Sequence, residues 1–227
     1  MQKKMLGRLK TRAYTGLAVL VAVLLILAGC ATEKKVQPAL VQEAPVVKGP
    51  SVEHLEGGRA GFIITEVPKM GEAARRDFDR AVALLKEQDY SQAIALLEKV
   101  IEQSPGVTAP YIDMAIAYQR IGKPEQAEEH LKTALQLFPG HPAACNEYGL
   151  LLRKAGRFAE ARTMYEKVTT RFPDYYPVHR NLGILCDLYL NDLTCALKHY
   201  ETYSEAVPED KQVKAWLADL HARLGKK

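Results

Sequence analysis

Small residues and prolines recur along this chain with one common spacing. The recurring positions form three columns: Ala81, Ala115, Gly149 and Gly183; Ala93, Ala127 and Ala161; and Pro105, Pro139 and Pro173. Neighbours within a column are 34 residues apart, and Ala196 and Pro208 continue the last two columns after 35 residues. A fixed period of this length indicates stacked supersecondary units, each of which buries its apolar face against its neighbours. The period therefore predicts an elongated stack of about four units.

The columns have a simple physical explanation if each unit is a pair of antiparallel helices. Two helices whose axes lie about 8–10 Å apart leave room only for Gly or Ala where the backbones cross. We therefore expect Gly149 to face Ala161, with the corresponding alanines facing each other in the first two units. The proline ends the second helix, because it forces the preceding residue away from helical geometry. Gly122 and Gly156 mark the turn inside their units.

Columns of large residues complete the pattern. The first helices carry Tyr111, Met114 and Tyr118, then Cys145, Tyr148 and Leu152, then His179, Leu182 and Cys186, and the second helices carry Leu97, Leu131, Tyr165 and Tyr200. With its helix–turn–helix period, the chain resembles the tetratricopeptide repeat (TPR) family over about residues 74–208. The resemblance implies an all-α fold, a TPR α-solenoid of about four helix–turn–helix repeats at residues 74–107, 108–141, 142–175 and 176–210.

The C-terminal part departs from the strict period. The fourth repeat has one extra residue between Gly183 and Ala196, which predicts a longer turn at residues 190–194. Residues 209–227 are expected to contribute a C-terminal capping helix, because a terminal repeat needs a polar outer face. Trp216 in this helix is expected to pack against the fourth repeat rather than to bind a ligand.

The first thirty residues have the pattern of a secretory signal. Residues 1–12 are basic, and the apolar run at residues 17–27 is shorter than the ~20 residues that a membrane-spanning helix needs. The run ends in Leu-Ala-Gly-Cys at residues 27–30, which resembles the lipobox of bacterial lipoproteins. The resemblance implies a lipoprotein signal peptide at residues 1–29 and lipidation of Cys30, with acyl chains such as palmitate. The alternative is an ordinary signal peptide, or a short uncleaved anchor, with Cys30 there by chance.

The residue after the lipobox cysteine bears on location. In lipoproteins of diderm bacteria an Asp there usually retains the protein at the inner membrane, and this chain has Ala31 instead. The resemblance therefore implies a lipid anchor in the outer membrane, with the protein on the periplasmic face. Residues 30–60 are expected to be the lipidated Cys and a flexible tether, because they are polar, contain several prolines and show no apolar period.

Residues 61–73 are expected to form an extended lead-in segment before the first repeat. The segment contains the apolar triplet Phe62–Ile64, and apolar surface left in water costs about 25 cal/mol for each Å². We expect the triplet to dock on the open N-terminal end of the stack, near Phe78 and Val82. It would act there either as a permanent cap or as an occupant that a partner displaces.

Charge and motifs argue against nucleic-acid binding and against catalysis. The formal net charge is +4, but five basic residues and no acidic residue precede residue 30. The remainder holds 26 basic and 27 acidic residues, a net of about −1, so no nucleic acid partner is expected. The chain contains no helical His pair with metal spacing, no P-loop, no nucleophile elbow and no Rossmann fingerprint. We expect no enzyme, no metal and no cofactor; an active site built from residues distant in sequence is the alternative.

Three cysteines remain after Cys30, namely Cys145, Cys186 and Cys195. In an oxidising periplasm Cys186 and Cys195 are the pair that could join, because they lie near the facing ends of the two helices of the fourth repeat. The alternative is that all three are small buried core residues. Disulfide geometry is demanding and this turn is irregular, so free thiols are the prediction.

The TPR resemblance also implies where a partner binds. In this family the first helices of successive repeats line a concave groove, and counting within each repeat places there Phe78, Val82, Leu85, Ile112, Ile116, Gln119, Asn146, Leu150, Arg153, Arg180, Ile184 and Asp187. An apolar groove suits an amphipathic helix or an extended apolar peptide. Phe78 and Val82 occupy the places of the Lys/Asn clamp that grips a peptide carboxylate in some members, so a receptor of that kind is not expected. Packing between helices is the alternative role for each of these residues.

The combined features predict a non-enzymatic, lipid-anchored TPR scaffold that binds envelope proteins through its groove and the membrane through its anchor. Similar TPR lipoproteins assist assembly of the type IV pilus secretin, serve as adaptors for peptidoglycan-remodelling enzymes, or accompany TonB–ExbB–ExbD systems. The stretch from Gly61 to Pro68 resembles the last group most. A self-assembling structural subunit is a further alternative, and the sequence leaves open whether the protein forms a homo-oligomer.

Replacing Cys30 by Ala should release the protein from the outer-membrane fraction, because the acyl chains can no longer be attached. Fractionation after a high-salt wash measures this, with Cys145→Ala as the control that keeps the lipobox. A Cys30→Ala protein that still sediments with membranes would contradict the lipobox interpretation.

Overall fold

The computed structural model of the chain describes residues 50–55, 61–67 and 69–225. The predicted signal peptide, the lipidation site Cys30 and the tether up to residue 49 lie outside these residues. The described part contains nine α-helices and two short β-strands. None of these helices is both long enough and apolar enough to cross a membrane.

The helices form four consecutive pairs and a single last helix. Their bounds are α1 (Glu72–Lys86), α2 (Tyr90–Gln103), α3 (Thr108–Arg120), α4 (Pro124–Leu137), α5 (Pro142–Lys154), α6 (Phe158–Arg171), α7 (Tyr176–Leu188), α8 (Leu193–Ala206) and α9 (Lys211–Arg223). Each odd-numbered helix from α1 to α7 packs most extensively on the helix that follows it, and each pair also contacts the next pair. The all-α TPR solenoid predicted from the period is thereby confirmed.

The crossing inside each pair is as close as the small-residue columns predict. Ala81, Ala93, Ala115, Ala127 and Ala161 have no exposed surface. The sequence led us to expect that an alanine of the partner helix makes glycine necessary at the crossing, but the structure places a tyrosine there. A Cβ atom on Gly149 would lie 2.4 Å from Cε1 of Tyr165, and one on Gly183 would lie 2.5 Å from Cδ1 of Tyr200. Glycine is therefore required by a tyrosine ring that passes over it, and not by an alanine of the partner helix.

The turns inside the pairs share one geometry, in which a residue with positive φ ends the first helix. Gly122 and Gly156 adopt φ values of 75° and 76°, and Gln88 and Asn191 take the same region with 63° and 51°. In the first three pairs a backbone N–H bonds the carbonyl five residues earlier, as Lys123 does to Tyr118 at 2.9 Å. In the fourth pair the corresponding bond spans six residues, from Asp192 N to Cys186 O. The extra residue therefore lies in this turn, as the sequence predicts.

A disulfide bond joins Cys186 and Cys195, so the prediction of free thiols is wrong for these two residues. Cys186 belongs to the last turn of α7 and Cys195 to the first turn of α8. The longer turn still brings the two backbones together, with 5.9 Å between their Cα atoms, which is a normal separation for a disulfide. Cys145 is free and buried, and burial raises the pKa of its thiol to about 11, so it is a poor nucleophile.

The two strands, β1 (Ser51–His54) and β2 (Phe62–Thr65), pair in antiparallel register from Ser51 opposite Thr65 to His54 opposite Phe62. The tether was expected to stay flexible to residue 60, and β1 is a departure from that expectation. Its backbone groups bond to β2, and Val52 packs against the main hydrophobic core together with Phe62. These contacts order a segment whose own composition gives no sign of structure.

Replacing Gly149 by Ala should lower the free energy of unfolding by about 1–3 kcal/mol, because the added methyl group overlaps the Tyr165 ring. Adding Tyr165→Leu should recover much of this loss, since Ala with Leu is the combination at the same positions of the first two pairs. Chemical denaturation of the wild type, both single variants and the double variant measures the coupling. Additive effects of the two substitutions would contradict the proposed overlap.

Candidate functional site

The predicted groove residues lie on α1, α3, α5 and α7, which contact one another in succession. Ile112, Asn146 and Ile184 are buried, and the other predicted groove residues are half-buried. Their arrangement along one row of helices follows from the 34-residue period, since equivalent positions of each repeat face the same way. That this row binds a partner stays a prediction.

A chain of hydrogen bonds crosses the middle of the row. The Asn181 side chain donates to Oδ1 of Asn146 at 2.9 Å, and Nδ2 of Asn146 donates to Oε1 of Glu147 at 3.2 Å. Asn181, Asn146 and Glu147 come from two neighbouring first helices, α7 and α5. The polar Asn146 is therefore held in place by its neighbours, and the chain ends on a carboxylate.

Two carboxylates, those of Asp113 and Glu147, occupy the same position in α3 and α5, one residue after Ile112 and Asn146. Both are half-buried, and neither forms an ion pair within the described residues. Burial, and then repulsion by Glu147, raises the pKa of Asp113 to about 6. Burial also raises the pKa of Glu147, although the Asn146 hydrogen bond opposes this shift. The centre of the row thus carries two half-buried carboxylates, and the charges of Lys154 and Arg120 act on that of Glu147 and also oppose the rise of its pKa.

Several buried polar atoms of α3, α5 and α6 have no hydrogen-bond partner in the described part of the chain: both amide atoms of Gln119, Nε of Arg153 and the hydroxyl of Tyr165. Tyr165 has no exposed surface. Its ring passes over Gly149, and the charges of Arg153 and Glu147 both act on the pKa of its phenol. The glycine therefore lets the Tyr165 hydroxyl reach the region of Glu147 and Arg153. Sequence reasoning named Gln119 and Arg153 but treated Tyr165 only as core.

The C-terminal end of the row is closed by α9. Arg180 donates to Oε1 of Gln212 at 3.0 Å, lies 3.6 Å from Oδ2 of Asp210, and sits over the Trp216 ring. Asp187 accepts a hydrogen bond from Arg223 at 2.7 Å. Two of the predicted groove residues are therefore occupied by the chain itself. The sequence carried a signal for these contacts: Asp210, directly before α9, is opposite in charge to Arg180, and Arg223, at the end of α9, is opposite in charge to Asp187.

The edge of the row at which α3, α5 and α7 begin is contacted by β2 and by Glu66, the residue that follows β2. The Phe62 ring lies 4.8 Å from that of Phe172 and 6.2 Å from that of Tyr175, between centroids. Glu66 accepts a hydrogen bond from the Thr108 backbone N–H at 2.8 Å and lies 3.9 Å from Nε2 of His141.

The expected docking place of Phe62, beside Phe78 and Val82 at the N-terminal end, is therefore wrong. Phe172 and Tyr175 offer aromatic surface farther along the stack, between the third and fourth pairs. Ile64, however, lies at the expected end: together with Phe78 it lines a cavity of about 550 Å³ at the start of the stack. Glu66 supplies a cap to α3, whose own N-cap residue, Val107, has no side-chain acceptor.

Two buried histidines meet between α7 and α8, with 3.0 Å between Nδ1 of His179 and Nδ1 of His199. Nε2 of His179 lies 3.0 Å from the Pro173 carbonyl, which only accepts, so His179 donates there and His199 donates to Nδ1 of His179. Burial lowers the pKa of both rings, that of His199 to about 4. The pair is thus neutral near pH 7 and joins the two helices.

One group of metal-type ligands lies together in the described part, formed by Cys186, Asp192 and Cys195. The disulfide uses both sulfur atoms of this group. Asp192 accepts a hydrogen bond from the Cys195 backbone N–H at 3.0 Å, as the N-cap of α8. In this structure the group is therefore a covalent link with a helix cap and offers no thiolate to a metal.

Comparison with known proteins agrees with this architecture. The family model of the tetratricopeptide repeat matches residues 84–144 and 122–183. The solved structure of PilF from Pseudomonas aeruginosa is similar, with a TM-score of 0.62 and 23% identity, covering 67% of this chain and 69% of that one.

Two curated relatives match shorter parts. The photosystem I assembly protein Ycf3 of Synechococcus sp. (strain CC9605) is 34% identical over 90 residues, 40% of this chain and 48% of Ycf3. The probable N-acetylglucosaminyltransferase SPINDLY of Petunia hybrida is 28% identical over 102 residues, 45% of this chain. The chain spans about half the length of the first relative and 11% of the second.

Replacing Asp113 by Asn should stabilise the protein at pH 7 by about 1–3 kcal/mol, because the uncompensated half-buried charge is removed. The folded-state pKa of about 6 lies above the usual 3.8, so the folded chain binds the proton more tightly. Wild-type stability should therefore fall as pH rises from about 4 to about 6, and this step should be smaller in the variant.

Thermal unfolding across this pH range measures the effect. Asp79→Asn is the matched control, because Asp79 holds the same position in α1 but is exposed and paired with Arg75. An Asp113→Asn protein that is less stable than the wild type at pH 7 would contradict the reading of Asp113 as an unpaired charge.

Proposed function

Because this chain is a tetratricopeptide repeat protein over residues 84–183, we propose that it is a non-enzymatic scaffold of the bacterial cell envelope that binds other proteins through its groove. Its lipid anchor would be attached at Cys30 and would hold it in the outer membrane, on the periplasmic face. The scaffold positions components of a membrane machine relative to one another and to the membrane.

The observation that carries this proposal is the unequal use of the groove residues. At the C-terminal end Arg180 and Asp187 are engaged by α9. On α1, α3 and α5, the apolar side chains of Val82, Ile116 and Leu150, which occupy the position of Ile184 in α7, remain half-buried on the helix surface. A row of partly exposed apolar side chains along successive helices is a surface that suits a protein ligand.

A narrower version of this function is favoured by particular relatives and residues. Ycf3 is named as an assembly protein, which supports a role in assembly rather than in chemistry. The stretch from Gly61 to Pro68 resembles accessory lipoproteins of TonB–ExbB–ExbD-type systems, and assembly of the type IV pilus secretin is the other role that the lipoprotein resemblance suggests. SPINDLY is named as a transferase, but this chain spans 11% of it, so no transferase activity is proposed.

A photo-crosslinking amino acid at Leu150, in the full-length protein in its own cells, should capture one or a few envelope proteins. The same amino acid at Thr163, on the exposed face of α6, should not capture them. Adding Ile116→Arg should remove the crosslinks from Leu150, because a charge in the apolar row opposes binding. Identical products from Leu150 and Thr163, or none from Leu150, would contradict groove-mediated binding.

A further inference from the structure

The edge of the stack at which the first helices end combines basic residues with exposed apolar ones. The last residues of α1, α3, α5 and α7 occupy one position of the repeat, 34 residues apart: Lys86, Arg120, Lys154 and Leu188. The C-cap residues that follow in α3 and α7 are Ile121 and Tyr189. Equivalent positions of a repeat protein face the same way, so these side chains form one row along the edge.

The apolar members of this row are held outward. Leu188 is 67% exposed, more than any other large apolar residue in the described part of the chain, and Tyr189 is 46% exposed. The Tyr189 ring packs on Phe158, with 4.8 Å between the ring centroids, and the Arg153 guanidinium lies 5.7 Å from it. The ring is therefore fixed from one side, while almost half of its surface stays in water.

The cations of the row are also left to solvent. Arg120, Lys123 and Lys154 are exposed, and none of them forms an ion pair within residues 50–55, 61–67 and 69–225, although the charges of Arg120 and Lys154 act on the half-buried Glu147. Other carboxylates near these helix ends are engaged elsewhere: Asp187 with Arg223, Glu128 and Glu160 with Arg157, and Asp192 as the cap of α8. The exposed Glu125 offsets one of the three cations, so the edge keeps a positive charge.

Two simpler explanations cover only part of this pattern. A basic residue at a helix C-terminus stabilises the helix dipole, which accounts for Arg120 and Lys154 but not for an exposed Leu188 at the same position. Contact between two copies of the edge would cover Leu188 and Tyr189, but it would bring like charges together, which opposes association. A surface that carries many negative groups and accepts apolar side chains between them satisfies both kinds of residue at once.

We propose that the ends of α3, α5 and α7, which we call the basic edge, bind a membrane surface that contains anionic lipids. The cations approach the lipid phosphates, and Leu188 and Tyr189 enter the headgroup region, where tyrosine is favoured because its ring is apolar and its hydroxyl is polar. This contact goes beyond the proposed function, in which only the acyl chains touch the membrane, and it rests on that function for the location of the protein. The first helices then point away from the membrane, and the groove opens alongside it.

The test measures contact between the edge and lipid in the intact protein, purified in detergent from its own cells and reconstituted into vesicles. A fluorescent amino acid replaces Leu188 or, as a control, Glu209, which is exposed in the turn before α9 at the opposite edge. The vesicles are made of brominated phosphatidylcholine with or without phosphatidylglycerol. With phosphatidylglycerol, fluorescence at position 188 should fall at least twofold, because bromine atoms quench by contact, and fluorescence at position 209 should not change.

Charge variants separate the edge from the anchor. Arg120→Gln together with Lys154→Gln should remove the quenching at position 188, and so should high salt, because both weaken attraction to the lipid phosphates. Lys99→Gln together with Lys167→Gln is the matched control: it removes the same charge from exposed positions of α2 and α6 and should leave the quenching unchanged. Thermal unfolding of both double variants confirms that they are folded.

Contrary outcomes distinguish this inference from the proposed function. Equal signals at positions 188 and 209, or equal quenching with and without phosphatidylglycerol, would overturn the basic-edge proposal, whereas crosslinks from Leu150 would still support the scaffold. If a photo-crosslinking amino acid at Leu188 captures an envelope protein, and Arg120→Gln with Lys154→Gln removes that product, the edge binds an acidic protein and the lipid proposal is wrong. If the protein does not stay with the vesicles, the anchor fails, and adding the labelled protein to the same vesicles tests the edge by itself.

Discussion

The distance at which the two helices of each pair cross is the constraint on which the rest of this structure depends. The first two pairs meet it with alanine against leucine, Ala81 with Leu97 and Ala115 with Leu131. The last two meet it with glycine against tyrosine, because only a position without a Cβ atom leaves space for the ring. The larger ring contributes more buried surface, and the charges of Arg153 and Glu147 act on the buried hydroxyl of Tyr165. Packing inside the pair thus decides where the Tyr165 hydroxyl lies in the core.

Parts of the chain outside the four pairs then decide how much of that groove is open. Helix α9 neutralises Arg180 and Asp187, and the strand pair lines the rim where α3, α5 and α7 begin. Glu66 also supplies the cap that Val107 cannot give to α3. The residues that these two segments leave uncovered include Val82, Ile116 and Leu150 and the two carboxylates Asp113 and Glu147.

Features set by local sequence could be predicted, and features set by distant neighbours could not. The helix pairs, their turns and the extra residue near Asn191 follow from spacing alone, since each depends on residues of one repeat. The cap by Glu66 joins residues 42 positions apart, and no periodic signal marks such a contact. The same holds for Phe62, whose docking place depended on which aromatic rings the fold brings together near the start of α7. The pairing of Cys186 with Cys195 is an exception: it is a local feature that was predicted wrongly, because it depends on the path of one irregular turn.

The glycine–tyrosine pairs also limit how this solenoid can be rearranged. Repeat proteins diversify by duplication and exchange of units, which works when every unit presents the same internal fit. Here the first two pairs carry Ala and Leu at the crossing, whereas the last two carry Gly and Tyr. These two positions must therefore change together. Exchange of whole pairs keeps Gly183 with Tyr200, whereas a recombination point inside a pair would leave either an overfilled crossing or an empty one. The smallest unit of this chain that can be exchanged without loss of packing is therefore the helix pair and not the single helix.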